Sequence, residues 1–232
     1  TLVPVTPPIT APSPLAVARQ PGADAAELAL KGTLALVEHR RASPSVREQA
    51  YQAFLEALDS WGVFESFPLD GAGCLRVSLP FCGGCSEAPL LLPFLAAKLL
   101  DCGRATGIQA FGCDVDSTVL TNYSQRWEAW TAHVLGPRIC LELQRRDLAM
   151  EPLPGADFIL GVHPLVSGIG AEDVWRRILA NVLRACAPGG RCVFATFYVC
   201  EAQKLQRMCL EFGVQTAIRE NPFYAGYPTN AQ

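Results

Sequence analysis

Histidine is scarce in this chain: His39, His133 and His163 are the three in 232 residues, and they lie far apart. Beside them stands a single Cys-x-x-Cys pair, so no zinc-ligand spacing exists and a metal centre is not expected. An excess of one charge is missing too. Nineteen basic residues against 22 acidic ones give a net charge of −3 with no polybasic run, which leaves a nucleic-acid surface without an electrostatic footprint. Long hydrophobic runs are also absent. The richest stretch, residues 88–100, is interrupted by Pro93 and Lys98 and falls short of the roughly 18 unbroken apolar residues of a spanning helix. Peripheral association with a membrane complex stays open.

What is present is a chain half apolar and only 18% charged, long enough to bury a sizeable core as one domain. Its ten cysteines sit inside apolar runs, as Cys113, Cys140, Cys192 and Cys200 do, and not at the loop spacings of a disulfide framework. Most are expected to be reduced core residues.

Three regions follow from composition. Residues 1–22 hold six prolines, one arginine and no acid, so they favour an extended, polyproline-like leader and suit an arm laid along a partner protein. Residues 23–72 form a helical segment. A first helix is expected over residues 23–40, with Asp24 and Glu27 at its front and His39-Arg40-Arg41 at its back, the polarity that a helix dipole prefers. Ser43 and Pro44 then look like an N-cap and first helical position for a second helix, carried by Phe54, Leu55, Leu58 and Trp61 until Gly62. Residues 73–232 alternate between strand and helix patterns. Strands are expected over 75–81, 107–113, 138–143, 156–162, 191–198 and 214–219, with helices after Pro89 and over 117–135, 172–186 and 201–212. Such alternation predicts an α/β, Rossmann-like, doubly wound and mostly parallel sheet behind an N-terminal helical cap.

The turn Phe81-Cys82-Gly83-Gly84-Cys85 admits two readings. A thioredoxin-like dithiol also lies where a strand enters a helix, whose N-terminus lowers one thiol's pKa. The chain has more strands and helices than that small fold. The alternative takes Gly83-Gly84 as the turn of a nucleotide-like cofactor cradle, and the other landmarks of the chain extend it. They are Asp114 and Asp116 after the second strand, Asp147 after the third, and Pro188-Gly189-Gly190 before the fifth.

In these four segments and their order, residues 75–232 resemble a class I S-adenosylmethionine-dependent methyltransferase. The resemblance implies that Gly84, with Gly83 as its out-of-register neighbour, lets the cofactor approach the backbone, that Asp114, with Asp116 second, accepts from the ribose hydroxyls, and that Asp147 lies beside the adenine. The first loop departs from the family's acid followed by Gly-x-Gly-x-Gly: Pro80, Cys82 and Ser86 replace the acid and two of the glycines. Glu87 is the substitute carboxylate, and the cradle is expected to be longer and differently shaped. After the fourth strand, His163-Pro164 stands where nitrogen-methylating members carry an acid or Asn before prolines, which makes His163 the candidate base in a substrate loop of residues 161–168.

Each residue also has a plain structural use. Asp114 serves equally as a cap for the helix near Ser117, Asp147 as a turn former, and His163 as a hydrogen-bonded loop residue. Two functions follow: a methyltransferase acting on a small molecule or a protein, or a catalytically silent, methyltransferase-like structural subunit of a larger complex. A first residue other than Met fits import into an organelle, plastid or mitochondrion, and a cytoplasmic location is equally open.

Overall fold

The computed structural model describes residues 46–166 and 170–221. The Pro-rich leader, the helix expected over 23–40, the Ser43-Pro44 cap and part of the 161–168 loop lie outside these residues. Helix α1 (Val46–Ser60) leads into strand β1 (Cys74–Pro80), helix α2 (Ala88–Leu95), strand β2 (Gly107–Asp114) and helix α3 (Ser117–Trp130). Strands β3 (Ile139–Arg145) and β4 (Ala156–Val162), helix α4 (Glu172–Ala185), strand β5 (Cys186–Ala195) and helix α5 (Val199–Glu211) complete the order.

The five strands are parallel and run β3-β2-β1-β4-β5 across the sheet. The chain starts in the centre, winds outward to β3, then crosses back beyond β1 to β4. That reversal puts a crevice at the carboxyl ends of β1 and β4, where open parallel sheets bind ligands.

Alternation of side chains sends each strand's residues to two opposite cores. On one face Leu75, Val77 and Leu79 of β1 join Ile108, Leu141 and Phe158 under α1, α2 and α3. On the other, Phe111, Ile159, Cys192 and Phe194 meet Ile178 and Val182 of α4, with Met208 and Cys209 of α5 packed nearby. The fold is thus Rossmann-like and doubly wound, and α1 is the described part of the helical cap.

Several boundaries differ from those expected. Helix α2 carries Pro93 inside it and continues as a π-helical turn, Ala96–Leu100. Proline removes one i→i−4 bond and crowds the preceding turn, and the apolar contacts of Leu91, Leu92 and Leu95 outweigh that cost. The helix over 117–135 likewise ends in a π turn, Thr131–Leu135. Strand β5 begins at Cys186, five residues early, and takes Pro188-Gly189-Gly190 into a bulge where the register jumps from Ala156↔Cys186 to Phe158↔Arg191. Gly189 has φ +80, and a Cβ on Gly190 would stand 2.9 Å from the carbonyls of Ala187 and Asp157, so only glycines fit this bulge. The strand ends at Ala195, short of Tyr198. The strand expected over 214–219 is absent: those residues have no regular structure and are mostly exposed, so β5 is an edge strand among the described residues.

Candidate functional site

The first loop, residues 81–87, is set by three left-handed residues, Phe81 (φ 46), Gly83 (φ 52) and Cys85 (φ 50). Non-glycine residues adopt this region at a cost, and such strain collects at ligand sites. A turn closed by Cys85 N–H donating to Cys82 O at 2.8 Å compacts the loop, and Cys82 N–H donates to Cys113 O at 2.9 Å, tying it to the end of β2.

Asp114 is the centre of the arrangement. Its Oδ2 accepts from Gly83 N–H at 2.8 Å and its Oδ1 from Asp116 N–H at 2.9 Å. A carboxylate has about four acceptor positions, so two remain for further donors. The bond to Gly83 joins the acid at the tip of β2 to the glycine turn after β1, residues 31 positions apart in the chain.

The two glycines stand the other way round from the expectation: Gly83, and not Gly84, is the open one. A Cβ on Gly83 would meet nothing within 4 Å, and its positive φ excludes most side chains, so open space lies over this residue. On Gly84 a Cβ would stand 3.3 Å from the Tyr123 ring. Trp127 Nε1 donates to Gly84 O at 2.8 Å, so Tyr123 and Trp127, one turn apart on α3, hold the loop from below. This clamp was not read from sequence; the i,i+4 aromatic pair on α3 was its visible sign.

Asp116 is the N-cap of α3, accepting from Thr118 N–H at 2.8 Å and Val119 N–H at 3.3 Å, the capping use expected for Asp114. Asp147 stands at the same edge, since Arg146 N–H donates to Asp114 O at 2.9 Å. Its Oδ1 accepts from Ala149 N–H at 2.9 Å in a tight turn. Glu87 precedes α2 without capping it through its side chain, and accepts from Ser86 Oγ at 3.2 Å.

Cys82 and Cys85 are free thiols packed against Gly112, where a Cβ would lie 3.2 and 3.5 Å from their sulfurs and 2.5 Å from Leu143 Cδ2. The hydrogen bond with Cys85, then burial, raises the Cys82 pKa far above the ordinary thiol range. Burial first, then the neighbouring Cys82, pushes Cys113 up to about 12. A redox dithiol needs a depressed pKa on its attacking sulfur, and this environment drives it the other way.

Across the crevice, His163 sits just past β4 in a left-handed conformation (φ 60), with its N–H donating to Ala195 O at 2.8 Å. Its ring lies flat on Phe197, centroids 3.8 Å apart and 9° from parallel. Phe81 fills the gap between the two halves: it stacks on Phe194 and meets Trp175 edge-on, and its ring occupies the place of a Cβ on Gly161 at 2.4 Å. Gly83, Asp114, Asp147 and His163 therefore share the carboxyl edge of one sheet.

The fold is methyltransferase-like. Its five parallel strands, with helices on both faces, match the class I methyltransferase fold. No protein-family model matches the chain, and no curated protein matches it. Solved structures of similar fold include TrmN from Thermus thermophilus, with 22% identity over 73% of this chain and 42% of that one, TM-score 0.44. An amino pentose methyltransferase from Micromonospora echinaspora, solved with S-adenosylmethionine, matches 72% of this chain and 58% of its own at 18% identity and TM-score 0.40. A third, an S-adenosylmethionine-dependent methyltransferase from Mesorhizobium loti, shows 24% identity over 59% and 52% of the two chains, TM-score 0.34. The chain spans about half the length of the solved structures it matches.

The methyltransferase-like edge fits the cofactor on its own geometry. Open space lies over Gly83, the only one of the two turn glycines whose missing Cβ faces no protein atom, and Asp114 keeps acceptor positions beside it.

Proposed function

We propose that this chain is an S-adenosylmethionine-dependent methyltransferase. The observation that supports the reading best is the bond from Gly83 N–H to Asp114 Oδ2, which sets a carboxylate and an uncovered backbone turn side by side at the switch point of a parallel sheet. Asp114 would accept from the ribose hydroxyls, Gly83 would let the cofactor lie against the loop, and Asp147 would face its base. Bound there, the cofactor supplies an electrophilic methyl group.

The protein's share of such chemistry is positioning: an acceptor held in line with the methyl needs little else, because alignment alone removes much of the barrier. Phe197 fixes the plane of His163, whose neutral imidazole takes the proton that the acceptor releases. The acceptor is a small molecule or a polypeptide side chain. Nothing among the described residues supports the silent structural-subunit reading.

Calorimetric titration with S-adenosylhomocysteine tests the proposal. Binding in the micromolar range is expected, with a loss of about tenfold or more in Asp114→Ala and a smaller one in Asp114→Asn, which keeps an acceptor for Gly83 N–H. Absence of heat at millimolar ligand with a folded chain overturns it.

A further inference from the structure

One cavity of the described residues contains none of Gly83, Asp114, Asp147 or His163. It measures about 550 Å3 and lies along β5. Every residue from Arg191 to Val199 borders it. Successive strand side chains point to opposite faces, so a cavity touching all of them must wrap around the strand's outer edge. Phe54, Leu58 and Trp61 wall it on the α1 side, Leu205 and Cys209 on the α5 side, and residues 216–221 form an outer wall of a slot that stays partly open. That outer wall is held by Gln206 Nε2 donating to Thr216 O at 3.1 Å and by Arg219 over the Trp61 ring at 5.3 Å.

Two features select the occupant. Among the described residues β5 pairs with β4 alone, and no backbone hydrogen bond joins it to residues 214–221. Its outward N–H and C=O groups therefore have no backbone partner among the described residues, and such an edge is a template for pairing with another strand. A hydrocarbon chain offers those groups no partner; an extended peptide pairs with them while its side chains alternate between the walls formed by Phe54 and Leu58 and by Leu205 and Cys209. The second feature is continuity: Phe197 borders the slot and also carries the ring of His163, so the slot ends at the methyl-acceptor side of the crevice.

We propose that this slot is the docking groove for an extended apolar stretch of a polypeptide, which pairs with β5 as a sixth strand and lays its acceptor residue beside His163. The acceptor part rests on the methyltransferase reading; the groove itself does not.

The test uses the full chain and a random peptide display library. Selection is expected to enrich peptides of alternating apolar residues. Residue-resolved hydrogen exchange then locates them: in the free chain, alternate amides over 191–195 exchange fast, and the selected peptide slows those amides at least about tenfold. A backbone N-methylated copy of the same peptide binds at least about tenfold more weakly, because its side chains are unchanged and its strand donors are gone. Ala202→Trp, which fills the groove from α5, abolishes peptide binding and leaves S-adenosylhomocysteine binding unchanged. No enrichment, protection elsewhere, or equal binding of the N-methylated copy overturns the groove. So does uniformly slow exchange of 191–195 in the free chain, which would mean that residues 222–232 or a second copy already pair with β5. Peptide binding together with a failed cofactor titration keeps the groove and removes the methyltransferase reading.

Discussion

Gly83 has a backbone conformation that L-residues reach at a cost of roughly 1–2 kcal/mol, yet a Cβ there touches nothing. Gly83→Ala should therefore lower stability by about 1–2 kcal/mol in urea unfolding while weakening cofactor affinity by a larger factor, since the added methyl stands where the cofactor would lie. Equal losses in both measurements would assign the glycine to turn geometry alone. Cys113 makes a second prediction, with a definite sign. Burial raises its folded pKa to about 12 from about 9 in the unfolded chain. Its contribution is fully present below pH 9 and is lost as pH rises from there toward 12, because the unfolded chain ionises first. Cys113→Ala should flatten the alkaline fall of stability, followed by circular dichroism between pH 8 and 12.

At the scale of elements, the first loop is shaped less by its own sequence than by the helix beneath it. Tyr123 and Trp127 of α3 press on Gly84, and the Trp127–Gly84 bond fixes the turn at 2.8 Å. Trp127→Phe keeps most of the apolar burial and removes that donor, so a loss of about 0.5–1.5 kcal/mol is expected, with faster amide exchange confined to residues 81–87. Unchanged exchange there would show that the bonds to Asp114 and Cys113 order the loop without Trp127. The edge strand shows the same dependence on neighbours. Pro188-Gly189-Gly190 reads locally as a helix stop, and so it is, but Cys186 already pairs with Ala156, and the three residues become a bulge inside β5 instead of a turn before it.

For the molecule as a whole, a ligand that binds only the folded chain stabilises it by mass action. S-adenosylhomocysteine at 100 times its Kd adds about 2.7 kcal/mol, or roughly 5–10 °C in Tm for a chain of this size. A scan that shows no shift at millimolar ligand would contradict the proposed cofactor site. The alternation of strand and helix, the four landmark segments and the placing of Asp114 and the Gly83-Gly84 turn at one edge were legible in the sequence because they follow from local periodicity and from the handedness of parallel crossovers. Residues 214–219 carry a strand-like pattern and still stay out of the sheet, since pairing is a contact between distant segments that no single segment encodes. The sequence by itself determined which side chains are apolar, where backbone donors are missing and where left-handed turns are tolerated. Only the tertiary structure decided that Gly83 faces open space and Gly84 an aromatic ring, that the thiols of Cys82 and Cys85 both pack against Gly112, and that β5 borders a slot: each is a distance between elements far apart in the chain, fixed when the two cores close on the sheet.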